Sequence, residues 1–183
     1  SYNMLCNNAI KSGEVLWTWR IDIGSDFVSS FSFYTLGSPF FRLSFLFPAS
    51  AFPYLVGWIY MLKYAVAGLT SFAYFRRSAS EKSALLGSAL YAFSGFSCIN
   101  VVFYHFHDVI ALFPLLMLGL DKRMQEGKKA PFLFAVTINA LVNYYFFIGE
   151  VFFLVFYYIT RYLFGGEDAR AGADLRKNAR KIP

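Results

Sequence analysis

Residues Tyr54–Phe75 read YLVGWIYMLKYAVAGLTSFAYF, 22 residues whose only charge is Lys63. As a helix rising about 1.5 Å per residue, the stretch matches the roughly 30 Å hydrocarbon core of a bilayer. The basic segment Arg76, Arg77 to Lys82 closes it. Ser83–Tyr104 follows, uncharged and rich in small residues, and ends at the polar His105–Asp108. Val109–Leu120 is a short apolar run of 12 residues with Pro114 inside it, which suggests a tilted or partly re-entrant segment. Asp121–Ala130 reads as a basic loop with Lys122, Arg123, Lys128 and Lys129. Phe132–Ile148 and Val151–Phe164 are two further apolar runs, parted only by Gly149 and Glu150, and a tight helical hairpin there fits the charge pattern.

The expected fold is therefore all-α: a polytopic transmembrane helix bundle with about five spans over residues 54–164. Composition agrees. Hydrophobic types make up 57% of the 183 residues and charged types 15%, against about 25% charged in soluble domains. That argues against a disordered chain and an ordinary soluble enzyme domain. The net charge of +6 does not point to nucleic acid, because the basic residues lie between apolar runs. Of the 17 Lys and Arg, 13 fall in alternate loops or at and beyond the end of the last run. The positive-inside rule puts those loops, and the basic segment 165–183, in the cytoplasm. Residues 1–53 are then extracytoplasmic, and the expected localisation is a multi-pass cell-membrane protein. No signal peptide is recognisable. The start without Met suggests a piece of something longer, with one more helix expected before Ser1. No internal repeat is evident.

Within 1–53, Phe27, Phe31 and Tyr34 stand at helical spacing, as do Phe41 and Phe45, with Pro39 and Pro48 breaking the run. One or two short amphipathic helices in the outer interface are expected. A further span at Phe40–Ala51 would be too short and would carry Arg42. Cys6 and Cys98 make neither a disulfide scaffold nor a zinc motif.

A charge in the hydrocarbon costs roughly 2.5–3.5 kcal/mol even on lenient scales, so each needs a reason. Lys63 would hold an anionic phosphate or pair with a carboxylate, as a site or as a structural ion pair. His105, His107 and Asp108 would bind a divalent metal, shuttle a proton, or simply form a polar loop. Glu150 is a site carboxylate or a solvated turn residue. Asp22 and Asp26 share a face if helical, while Gly24 allows a tight turn instead. They would hold Mg²⁺ or Mn²⁺, act as general base, or form a solvated loop with Arg20. Trp17 and Trp19 beside them suit a sugar ring or the membrane interface.

Gly13 through Phe47 reads GEVLWTWRIDIGSDFVSSFSFYTLGSPFFRLSFLF. With Leu62-Lys63, Tyr91-Ala92-Phe93-Ser94-Gly95 and the stretch from Phe113-Pro114 to Gly119-Leu120-Asp121, it resembles the YfhO-type family of bacterial multispanning membrane proteins. The likeness covers most of residues 10–165, and Gly-Ser-Pro-Phe-Phe at Gly37–Phe41 is its most specific part. The resemblance implies a glycosyltransferase of the GT-C architecture. Such an enzyme takes a sugar from a polyprenyl-phosphate donor to an envelope acceptor such as teichoic acid, on the outer face. It implies an essential acid in the first outer loop, here Asp26 first and Asp22 second. Lys63, Arg20, Arg42 or a carboxylate-bound metal would meet the leaving phosphate, with His105, His107 and Asp108 as further candidates. The implied partners are membrane lipid, the lipid-linked sugar and the acceptor. The competing expectation is a transporter or flippase of lipid-linked or envelope precursors, with Lys63, His105 and Glu150 along a polar path.

Overall fold

A computed structural model describes residues 2–19, 21 and 23–164; Arg20, Asp22 and the basic segment 165–183 lie outside them. The chain divides into two compact units, Ser1–Phe146 and Phe147–Pro183.

The first unit opens with helix α1 (Tyr2–Lys11), a stretch that carries three Asn residues. Two two-residue strands follow, β1 (Trp17–Thr18) and β2 (Ser25–Asp26), paired antiparallel. Gly24 makes the turn back into β2 with φ of +101°. Residues 23–26 are therefore not helical. Next come α2 (Phe27–Phe31), a π-helical turn (Ser32–Leu36), α3 (Pro39–Leu43) and two short 3₁₀ turns. The periodicity of Phe27 and Phe31 is used against α1: both rings are buried in one core with Cys6, Ala9, Ile21, Phe41 and Phe52. The polar face of α1 is accommodated as well, since the Asn7 amide donates to the backbone oxygen and the hydroxyl of Ser44, at 3.1 and 3.0 Å. Cys6 and Cys98 are both free thiols.

The long helices are α4 (Phe52–Phe75), α5 (Glu81–Ala92), continued after a break by α6 (Gly95–Ile99), α7 (Phe106–Glu126), α8 (Ala130–Val142) and α9 (Tyr144–Tyr158). Within the first unit α4 packs against α5 and α7, and α7 against α8. The burial pattern is inside-out for water. On α4 the buried side chains include Lys63, Thr70 and Ser71, while Tyr54, Trp58, Met61 and Leu69 face outward. On α5 Ala84, Ser88 and Ala92 are buried, and Leu85, Leu86 and Leu90 are exposed. Small residues let helix backbones approach, and the outward apolar face needs lipid.

Three stretches among the described residues are long and apolar enough to cross a membrane: Phe52–Phe75, Glu81–Val102 and Tyr144–Phe164. That is fewer than the expected five. The 12-residue run belongs to a 21-residue helix, α7, because Asp121, Lys122, Arg123 and Glu126 continue it instead of forming a loop. Gly127, in the left-handed region at φ +70°, ends it. Those charges keep α7 out of the membrane-crossing set, and α8, at 13 residues, is too short for it.

Pro114 lies inside α7 without breaking it. A proline has no N–H, so the Ile110 carbonyl loses its helical partner. The Tyr91 hydroxyl donates to that oxygen at 2.9 Å. The break between α8 and α9 falls at Asn143, not at Gly149–Glu150, which lie inside α9. Asn143 has extended backbone, and its Oδ1 accepts from the Phe146 N–H at 3.2 Å, which starts the next helix.

Candidate functional site

The site residues expected from the sequence fall into two groups on different elements. The first is the β1–β2 hairpin. Trp17 and Asp26 are directly paired across the strands, so their side chains leave the same face of the ladder. The Trp17 and Trp19 rings meet edge to face, with centroids 5.8 Å apart. Asp26 is exposed and starts α2: its Oδ2 accepts from the Ser29 N–H at 2.7 Å. Those hydrogen bonds hold its carboxyl below the usual carboxylate range. Around it Leu16, Trp19 and Ile23 are among the most exposed large apolar side chains, with Ile23 at 91%. Asp22 and Arg20, expected beside Asp26, are outside the described residues. Among the described residues no three His, Cys, Asp or Glu side chains converge to hold a metal ion.

The second group is buried where α4 meets the start of α7. Lys63 Nζ stands 2.7 Å from Asp108 Oδ1, with both side chains almost wholly shielded. Lys63 also donates to the Tyr104 carbonyl at 2.8 Å. Its ammonium lies 3.2 Å from the centroid of the Tyr104 ring and 5.8 Å from those of Tyr60 and Phe40. Ring faces are electron-rich, so they offset part of the cost of burying the cation. The carboxylate partner expected for Lys63 is present, as Asp108. Asp108, in the first turn of α7, also suits the positive end of that helix.

His107 hydrogen-bonds through Nε2 to the Ser97 carbonyl at 2.9 Å and to the Tyr64 hydroxyl at 3.3 Å. The Ser97 oxygen is within reach because the helix breaks at Phe93 and Ser94, and Ser94 caps α6. His105 precedes α7, and its ring packs edge-on against Phe33, Tyr34 and Phe106.

The Gly-Ser-Pro-Phe-Phe segment covers this pair. Gly37 lies against the end of α8, where an added Cβ would come within 1.7 Å of the Leu141 carbonyl oxygen. Ser38 caps α3, accepting from the Phe41 N–H at 3.0 Å, and its side chain faces Asp108. Phe40 supplies one of the rings around Lys63. Sequence reasoning missed Ser38, Tyr60, Tyr64 and Tyr104 as members of the cluster; the available signal was the Ser within Gly-Ser-Pro and the Tyr adjoining His105. It also read Asp121 as the start of a loop, whereas it is fully buried in α7.

A groove of about 380 Å³ runs along the outside of α4, lined by Leu43, Phe47, Leu55, Trp58 and Leu62 among others. At the other end of the helices Arg77 joins the α4–α5 turn to the end of α7, meeting Glu126 at 2.8 Å. Lys128 meets the same carboxylate at 2.9 Å.

The family model described as "Bacterial membrane protein YfhO" matches residues 2–182. No curated protein and no solved structure matches the chain.

Proposed function

We propose, because the chain belongs to the YfhO family of bacterial membrane proteins, that its work is glycosyl transfer at the membrane. The donor would be a polyprenyl-phosphate sugar and the acceptor a hydroxyl of an envelope polymer such as teichoic acid. In that reaction the bond from the sugar's anomeric carbon to the lipid phosphate breaks, and the phosphate leaves with the electron pair. A bond to the acceptor oxygen forms, and the acceptor's proton passes to a base.

The observation that carries this reading is the setting of Asp26, an exposed carboxylate on a hairpin that also exposes Leu16 and Ile23. An acid beside outward apolar side chains suits chemistry on a substrate held at the lipid headgroups. The groove along α4 is apolar enough for an isoprenoid chain. Residues 1–53 would face the exterior. In support, Arg77, Glu126 and Lys128 gather the two basic turns at one end of the helices, as the positive-inside rule asks of a cytoplasmic end.

A transporter would use the buried Lys63 and Asp108. Those charges already satisfy one another, so glycosyl transfer remains the better account.

The test is consumption of lipid-linked sugar by the protein in membranes. Asp26→Asn should abolish transfer while expression holds, and wild-type turnover in that variant would remove Asp26 as the base. Sidedness is checked with Ile23→Cys in a Cys98→Ser background. A membrane-impermeant maleimide should label it in intact cells, and labelling only after the cytosol is opened would reverse the orientation.

A further inference from the structure

Two tryptophans that are exposed yet braced stand on the face of the hairpin that carries Asp26. Trp17 is 49% and Trp19 73% exposed. Both nonetheless rest on Gly24: a Cβ there would come within 2.7 Å of the Trp19 ring and 2.9 Å of Trp17 Nε1. Gly24 also needs its positive φ of +101°. The glycine thus does two things at once, turning the chain and leaving room for the indoles to lie on its backbone. The rings meet at 72°, so the pair forms an angled apolar shelf, and register puts the Asp26 carboxylate on the same side.

We propose that this shelf is a pyranose-binding subsite. A sugar ring has an apolar face of C–H bonds and a rim of hydroxyls. The first stacks on an indole, and the second donates to a carboxylate. Trp17 and Asp26 offer both contacts within one cross-strand pair, with the Trp19 ring beside Trp17. A lipid anchor fits the same residues less well. An interfacial Trp usually turns its N–H to the headgroups, whereas Trp17 Nε1 is turned toward Gly24. A carboxylate on the same face would also resist burial in hydrocarbon. Leu16 and Ile23 are left for contact with lipid. The proposal rests on the glycosyl-transfer reading and deepens it, by assigning the recognition of the sugar ring to residues 17, 19 and 26.

The test is tryptophan fluorescence of the full chain in detergent, titrated with methyl pyranosides: the glucoside, the galactoside and the N-acetylglucosaminide. A saturable response to at least one of them is expected. Trp19→Ala should weaken apparent affinity at least tenfold, with helix content by circular dichroism unchanged, and Asp26→Asn should weaken it as well. No saturable response in the wild type, or an equal response in Trp19→Ala, overturns the proposal. So does quenching of Trp19 by lipids brominated deep in the acyl chain that no pyranoside relieves. Transfer without Trp-dependent binding would remove this subsite and leave the transferase reading standing; binding without transfer would do the reverse.

Discussion

Tyr91 repairs the hydrogen-bond ladder that Pro114 interrupts: its hydroxyl donates at 2.9 Å to the Ile110 carbonyl, the oxygen left over in α7. The bond joins α5 to α7 and explains how a proline sits inside a continuous helix. Tyr91→Phe should destabilise the protein by about 1 kcal/mol. In a Pro114→Ala background the backbone N–H returns to Ile110, so Tyr91→Phe should cost less. Thermal unfolding of the four proteins in detergent measures the coupling. Equal costs in both backgrounds would mean that the hydroxyl does not serve this carbonyl.

Lys63 and Asp108 form the most deeply shielded ion pair among the described residues. Lys63→Met or Asp108→Leu alone leaves one charge buried without its counterion and should cost roughly 3–5 kcal/mol. The double variant should recover most of that loss, because apolar residues of similar size pack in place of the pair. A double loss equal to the sum of the singles would show that the two residues act separately.

Gly37→Ala places a methyl where the Leu141 carbonyl stands, so backbone must move against backbone. A loss of about 1–3 kcal/mol is expected, as for other overpacked positions. Gly57→Ala on α4 meets nothing within 4 Å and should be neutral or add about 0.5–1 kcal/mol through helix propensity. The same melting experiment ranks the two, and a harmless Gly37→Ala would mean that the α8 contact gives way easily.

Glu126 gives the protein an acid-side signature. Hydrogen bonds from Lys128 and Arg77 hold its carboxyl down from 4.5 to about 2. A carboxylate with a depressed folded value stabilises fully above its unfolded value and loses that contribution as pH falls toward the folded one. The wild type should therefore be more stable than Glu126→Gln at neutral pH, with the gap closing between 4.5 and about 2. A gap unchanged through that window would assign the effect to packing.

The apolar run of Tyr54–Phe75 announced α4 within two residues of its start, because Lys63 is its only charge and no proline or glycine cluster breaks it. The end of α7 was hidden for the opposite reason. Asp121 through Glu126 carry enough charge to look like a loop, and only Gly127 marks the true stop. The α8–α9 break was misplaced because Gly149 and Glu150 interrupt the hydropathy, whereas the chain turns where Asn143 can supply a capping oxygen. Lys63 and the His-Phe-His-Asp segment were each visible as oddities. Their meeting was not, since no local pattern links residues so far apart. Asp26 was legible as an acid next to two tryptophans, but its capping of α2 depends on where that helix begins.

The Lys63–Asp108 pair also bears on biogenesis. The lysine emerges from the ribosome first, and its counterion follows only after all of α5 and α6 has been made. Until then α4 offers the translocon a lone ammonium, a penalty of roughly 2.5–3.5 kcal/mol near the middle of a span. Pairing with Asp108 at the start of α7 would remove that penalty once the later helix is in place.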